Sequence, residues 1–164
     1  MSEEESGAQT KLDEFIAFCV QEEEYCIEIT TVREIRRWTS ATRLPRAPEF
    51  VIGVINLRGA VVPVIDFAAR LGKGLTETTE RHTIIIVEWA GQTFGLLVDS
   101  VSDILTAGEK DMQPTPAIAS EAVQQVVSTL IIVEDRMLRI VNVGNIVDIA
   151  AAATALVPDA ATAA

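Results

Sequence analysis

The chain repeats itself. Phe15–Val20 resembles Ile84–Trp89 at a displacement of 69 residues, and at the same displacement Tyr25, Ile27, Ile29, Val32, Glu34 and Ile35 fall on Phe94, Leu96, Val98, Val101, Asp103 and Ile104. Further on the displacement becomes 76, with Val61, Val62, Val64, Ile65 and Phe67 matching Met137, Leu138, Ile140, Val141 and Val143, as if the second copy carried a connection seven residues longer around Gly108–Val127. Such a period is too long for a solenoid. Within each copy, short Val- and Ile-rich alternations are separated by charged or glycine turns, which is the pattern of strands. The expectation is therefore two related all-β barrels, each too small to be stable without burying a face against the other.

Composition narrows what such a fold can do. With 49% apolar and 23% charged residues the chain can bury a core, and its formal charge of −11 excludes binding to nucleic acid or anionic membrane through a generally basic surface. The charge is uneven: residues 1–29 hold nine acids and one base, 30–75 three acids and eight bases, and 76–164 twelve acids and four bases. One segment of an acidic protein is thus locally basic, as a surface that meets an acidic partner would be. No run approaches the ~18 apolar residues of a spanning helix, and Met1-Ser2-Glu3-Glu4-Glu5 lacks the basic and apolar regions of a signal peptide. A cytoplasmic location is expected. Residues 1–12 read as a disordered acidic leader and 150–164 as a peripheral alanine-rich tail.

Local patterns supply the elements. Phe15–Val20 and Glu24–Ile29 predict a hairpin, and a centre between Glu22 and Glu23 sets Cys19 opposite Cys26, although two buried thiols are the default in a reducing compartment. From Thr31 the period changes, with Val32, Ile35 and Trp38 forming a stripe and Thr31-Val32-Arg33-Glu34 reading as a capping box that opens a short helix. Val51–Leu57 and Ala60–Phe67 predict strands around a two-residue turn at Arg58-Gly59, which leaves Arg58 at an exposed tip.

Catalytic patterns are missing: there is no phosphate loop, serine elbow, zincin helix or cysteine quartet. His82 has no nucleophile or metal-ligand pattern beside it and reads as a strand-end residue. Asp66 and Asp99 follow apolar strand residues, where turn and capping roles outweigh the alternative of a small hydrolase built on two carboxylates. Neither an enzyme nor a cofactor or metal site is expected. What remains is binding, centred on residues 30–75, where Arg58 could pair bidentately with a partner carboxylate.

Glu24-Tyr25-Cys26-Ile27-Glu28-Ile29 with Val32-Arg33-Glu34-Ile35, then Gly53-Val54-Ile55-Asn56-Leu57-Arg58-Gly59 with Val62-Pro63-Val64-Ile65-Asp66, resembles the CheW family of chemotaxis coupling proteins. The resemblance continues through Gly95-Leu96-Leu97-Val98-Asp99 with Val101 and through Asp135-Arg136-Met137-Leu138, covering roughly 13–149. It implies a mainly β fold of two five-stranded Src-homology-3-like barrels sharing a core, with a few short helices, in one domain whose subdomains run approximately 13–81 and 82–149. It also implies a non-catalytic adaptor that joins methyl-accepting chemoreceptor tips to the regulatory domain of the histidine kinase CheA in membrane arrays, with other copies of the adaptor as further possible partners. By the same resemblance Val32, Glu34 and Arg58 are the receptor-contacting residues, and Gly95, Leu97, Val98, Asp99 and Val101 the candidate kinase-facing segment. A full kinase or a CheV protein with its receiver domain would need a much longer chain, so a free-standing adaptor is expected, in chemotaxis or in a related pathway such as twitching motility or developmental signalling. The chain departs from the family in carrying Val127-Ser128-Thr129-Leu130-Ile131-Ile132-Val133 where a glycine-containing run is usual, and in its Arg36-Arg37-Trp38 run.

Overall fold

The computed structural model describes residues 12–116 and 120–156. The expected leader, except for the exposed Leu12, and the last eight residues of the expected tail lie outside the described residues. Eleven strands dominate: β1 (Asp13–Val20), β2 (Glu23–Glu28), β3 (Val32–Arg37), β4 (Val51–Leu57), β5 (Ala60–Asp66), β6 (Thr83–Trp89), β7 (Gln92–Val98), β8 (Ser100–Ala107), β9 (Met112–Pro114), β10 (Val127–Val133) and β11 (Arg136–Val141). Short helices punctuate them at α1 (Phe67–Arg70), α2 (Glu121–Val126) and α3 (Val147–Ala155). The longer connection expected in the second copy holds β9 and α2, which Ser120 opens by accepting a hydrogen bond from the Val123 amide at 3.2 Å.

The strands form two sheets, ordered β8-β1-β2-β11-β10-β9 and β3-β6-β7-β5-β4. The mainly β, two-barrel expectation holds, with β9 as a sixth strand on one side. The contiguous halves 13–81 and 82–149 are not the units of the sheets, however. Hairpin β1–β2 belongs with β8 and β11, and hairpin β6–β7 belongs with β3 and β5, so each sheet takes a hairpin from one half of the chain and the rest from the other. The seams are two parallel pairs, Tyr25 and Cys26 beside Arg139 and Ile140, and Val64, Ile65 and Asp66 beside Gly95, Leu96 and Leu97. Neither half can complete a sheet alone.

This exchange explains why the strands of both exchanged hairpins are buried on both faces. Along β1, Phe15 and Ala17 enter the interior of the first barrel with Cys26, Ile131 and Leu138, while Ile16, Phe18 and Val20 enter the core between the sheets. Along β6, Ile84 and Ile86 fill the second barrel with Ile55, Leu57, Val62 and Val64, while Ile85 and Val87 join the shared core. At its centre Phe18, Tyr25 and Phe67 meet with ring centroids 5.1–5.8 Å apart. Such pairs add about 0.5–1.5 kcal/mol each beyond area burial.

Three local expectations need correction. The β1–β2 turn is Gln21-Glu22, both at positive φ, so Cys19 faces Glu24 and Cys26 faces Ala17. Cys26 is buried among apolar groups that push its thiol up to about 12. Residues 32–37 form strand β3 rather than a helix: a bulge between Val32 and Glu34 puts Val32 and Ile35 on one face, opposite Val87 and Ile85, and this imitates helical spacing. The alanine-rich segment is not wholly peripheral, because α3 packs on β5 and β7 with Ala150 and Ala153 fully buried at i, i+3.

Candidate functional site: a charged edge on the second barrel

β4 and β5 meet in a turn whose two residues, Arg58 and Gly59, both have positive φ, at 53° and 89°. Such a two-residue turn follows the twist of its strands. Asn56 fixes it by accepting a hydrogen bond from the Gly59 amide at 2.9 Å, leaving the Arg58 side chain 70% exposed. Across the open side of the barrel runs β3, an edge strand paired only with β6. The bulge turns Glu34 and Arg36 to the face opposite Ile86 and Ile84, the barrel side, and directs Glu34 at the hairpin tip. Its carboxylate accepts hydrogen bonds from Arg58 and, at 3.2 Å, from Arg36. The Arg58 guanidinium, supported by that of Arg36, outweighs partial desolvation and holds the Glu34 carboxyl below the usual carboxylate range.

Glu34 and Arg58, 24 residues apart in the chain, are thus brought into contact. Val32 is half-buried against the shared core and anchors the start of β3. Arg33 pairs with Glu88. Together with the β4–β5 tip, β3 carries Arg33, Arg36, Arg37 and Arg58 on its two faces against Glu34 and its neighbour Glu88, an excess of positive charge on an acidic protein. Ile35, 44% exposed, lies on the other face of β3, with Val32. Arg36 is the residue that sequence reasoning did not place: its run was noted as unusual, but its bond to Glu34 needs residues 34–36 to be a strand, where i and i+2 share a face, and the segment was read as a helix.

The candidate kinase-facing segment fares differently. Leu97 and Val98 are each 1% exposed and Gly95 is buried, so these three pack inward and are corrected to core residues. An added Cβ at Gly95 would stand 2.7 Å from Ile84 Cγ2, which explains the glycine by packing. Val101 leans on the shared core. Asp99 remains accessible; it accepts a hydrogen bond from the Gln21 amide at 2.8 Å and lies 3.5 Å from His82 Nε2. His82 stands immediately before β6, its Nδ1 accepting from the Thr79 amide at 3.0 Å. Asp66 is 2% exposed, caps α1 through Ala69 and binds both the amide and the hydroxyl of Thr76 at 2.7 Å. The carboxylates considered for hydrolysis are therefore committed to holding turns.

Two small barrels locked by exchanged hairpins, with an exposed charged surface at the open side of one of them, define a protein-interaction module. A CheW-like domain matches residues 14–151, nearly the whole described chain. The chain is 50% identical over 133 residues to the chemotaxis protein CheW of Rhizobium meliloti (strain 1021), covering 81% of this chain and 86% of that protein. It is 33% identical over 149 residues to the chemotaxis protein CheW of Bacillus subtilis (strain 168), covering 91% and 95%. Among solved structures, the scaffolding protein TtCheW from Thermoanaerobacter tengcongensis superposes with a TM-score of 0.74 at 34% identity, covering 80% of this chain and 90% of that one. The chain belongs to the CheW family of chemotaxis coupling and scaffold proteins.

Proposed function

We propose that this protein is a non-catalytic adaptor that couples methyl-accepting chemoreceptors to a CheA-type histidine kinase, working in the cytoplasm at membrane receptor arrays. The observation that carries the reading is the contact between Glu34 and Arg58, two residues assigned to receptor binding by resemblance and joined across the open side of the barrel. Arg58 keeps most of its side chain in solvent, so it can exchange or share its carboxylate with a receptor. The surrounding arginines favour an acidic receptor surface and speed encounter with it. Of the kinase-facing residues, Asp99 and Val101 remain the candidates. Membership of a scaffold family supports the absence of an activity of its own, and among the described residues no helix is long and apolar enough to cross a membrane.

The test is calorimetric titration of the purified protein with a receptor cytoplasmic fragment and, separately, with the kinase regulatory domain. Arg58→Glu should lower receptor affinity at least tenfold while leaving kinase affinity and melting temperature unchanged. Undiminished receptor binding by a folded Arg58→Glu protein would refute the assignment, and failure of the wild-type protein to bind either partner would refute the adaptor role.

A further inference from the structure

Two guanidiniums hold Glu34, and they are themselves held in unlike ways. Arg36 Nη1 donates to Glu34 Oε1 at 3.2 Å while Arg58 Nη2 donates to Oε2, so each takes a different oxygen of the one carboxylate. Arg58 stands on a hairpin tip with 70% of its side chain exposed, whereas Arg36 lies within β3, opposite Ile84 of β6, and is 38% exposed. Arg36 Nε is buried and has no hydrogen-bond partner among the described residues, so the stem end of this guanidinium is enclosed while its tip is given to Glu34. A buried donor left unpaired is unfavourable, and the bond to Glu34 is what that orientation secures.

Their roles follow from charge. Two guanidiniums against one carboxylate leave a single surplus positive charge, and the exposed Arg58 is the one placed to carry it outward. The Glu34 side chain is only 25% exposed, so departure of Arg58 towards a partner would leave a partly desolvated carboxylate facing an acidic surface, which opposes binding. Arg36 prevents this, because its enclosed guanidinium stays on Glu34 when Arg58 leaves. Without Arg36 the remaining pair is neutral, and Arg58 is the sole cation on Glu34 and is committed to it. We infer that Arg36 is a positioning residue for partner binding: it keeps Glu34 neutralised, so that Arg58 can be transferred from Glu34 to a carboxylate of the partner. The inference rests on reading the Glu34–Arg58 surface as the receptor site. It differs from a direct contact, in which Arg36 would itself bind the partner and its effect would not depend on Glu34.

The test compares Arg36→Gln in the full chain with the same substitution made together with Glu34→Gln, by calorimetric titration with a receptor cytoplasmic fragment. Arg36→Gln alone should weaken binding about fivefold or more with a preserved melting transition. Added to Glu34→Gln, it should change affinity by less than about twofold, because Arg58 is then already released. Arg36→Lys, which keeps a cation on Glu34, should bind within about threefold of the wild-type chain. An equal loss from Arg36→Gln in both backgrounds would make Arg36 a direct contact and overturn the proposal, as would undiminished affinity in the single variant or a lysine variant as weak as the glutamine one. A second readout needs no partner: in nitrogen NMR of the arginine side chains, the Arg58 Nε–H should exchange with solvent more slowly and reorient less in Arg36→Gln, and return to wild-type behaviour in Arg36→Lys. A packing role for Arg36 would not move that signal, and an Arg58 signal unchanged by Arg36→Gln would overturn the proposal even if affinity fell. Failure of the wild-type chain to bind the fragment would refute the receptor reading alone, because the Arg58 signal still decides whether Arg36 governs its release.

Discussion

Both barrels draw an edge-strand acid and a hairpin arginine together across their open sides, but they balance the charges in opposite ways. At Glu34 one carboxylate is shared by two arginines, Arg36 and Arg58, and the tip arginine stays 70% exposed. At Arg136 one guanidinium is shared by two carboxylates, Glu24 and Asp103, and only 30% of that side chain is exposed. The first arrangement leaves donors free for a partner. The second uses its arginine to tie β2, β8 and the β10–β11 hairpin together, so the same geometry leaves its arginine exposed in one barrel and holds strands together in the other.

The interiors differ in the same compensating manner. The barrel holding β1 and β2 is filled by Phe15, Ala17 and Cys26, and its counterpart by Ile84, Ile86 and Gly95 at the matching positions. Where Cys26 replaces glycine, Ala17 replaces isoleucine, and volume is conserved.

The largest break in the comparison should come from importing a residue between the bulges of β4 and β10. Gly53 and Thr129 occupy corresponding bulge positions, but a Cβ at Gly53 would stand 2.2 Å from the Thr42 carbonyl oxygen. That backbone carries the Thr42–Val54 bridge, with both hydrogen bonds 2.8 Å long, which closes the second barrel. Gly53→Thr should therefore lose about 2–4 kcal/mol in urea unfolding, because backbone cannot yield as a side chain can. The reciprocal Thr129→Gly should lose far less. Equal effects would mean that the two bulges are not held differently.

Next in size is Gly95→Ala, which presses a methyl on Ile84 Cγ2 and should cost about 1–3 kcal/mol. Restoring the pattern of the other barrel with Ile86→Ala in the same chain should not recover stability if Ile84 alone is the obstacle, since Ile86 Cδ1 is 3.4 Å from the added carbon. Full recovery in the double variant would show that the two barrels compensate volume through the Ile86 position.

How much of this was legible in the sequence depends on range. The Arg58-Gly59 turn was legible because two residues determine it, and the duplication because it preserves apolar order. The run Ile84-Ile85-Ile86-Val87 also announced burial on both faces, since a half-buried strand would alternate. The same reasoning, applied to Phe94–Val98, would have removed Gly95, Leu97 and Val98 from the candidate surface. The exchange of hairpins was illegible, for identical alternations allow either barrel to receive either hairpin, and packing between the sheets decides. β3 was misread because its bulge converts a period of two into an apparent period of three. α3 was passed over because alanines carry almost no hydrophobic contrast, although Ala150 and Ala153 fit closely against the sheet.

The difference between cohesion and contact predicts a smaller effect at the two arginines. Arg136→Ala should cost about 1 kcal/mol in unfolding experiments, because it releases two strands and leaves Glu24 and Asp103 facing each other. Arg58→Ala should leave the melting temperature unchanged while weakening receptor binding. A chain destabilised equally by both would erase the distinction.

The smallest effect, and the sharpest on the independence of the two sites, is in acid titration. Arg136 holds the Asp103 carboxyl below its ordinary value of 3.8, and Arg58 holds that of Glu34 below 4.5. A carboxylate depressed in the folded state contributes stability above its ordinary value and loses that contribution as pH falls through the folded one, so the window lies below about pH 4–5. Carboxyl carbon NMR should therefore show Asp103 returning toward 3.8 in Arg136→Ala with Glu34 unmoved, and Glu34 returning toward 4.5 in Arg58→Ala with Asp103 unmoved. Movement of both carboxyls in either variant would show that charge at one ion pair is felt at the other. The barrels would then act as one coupled unit, through the shared core that their exchanged hairpins build.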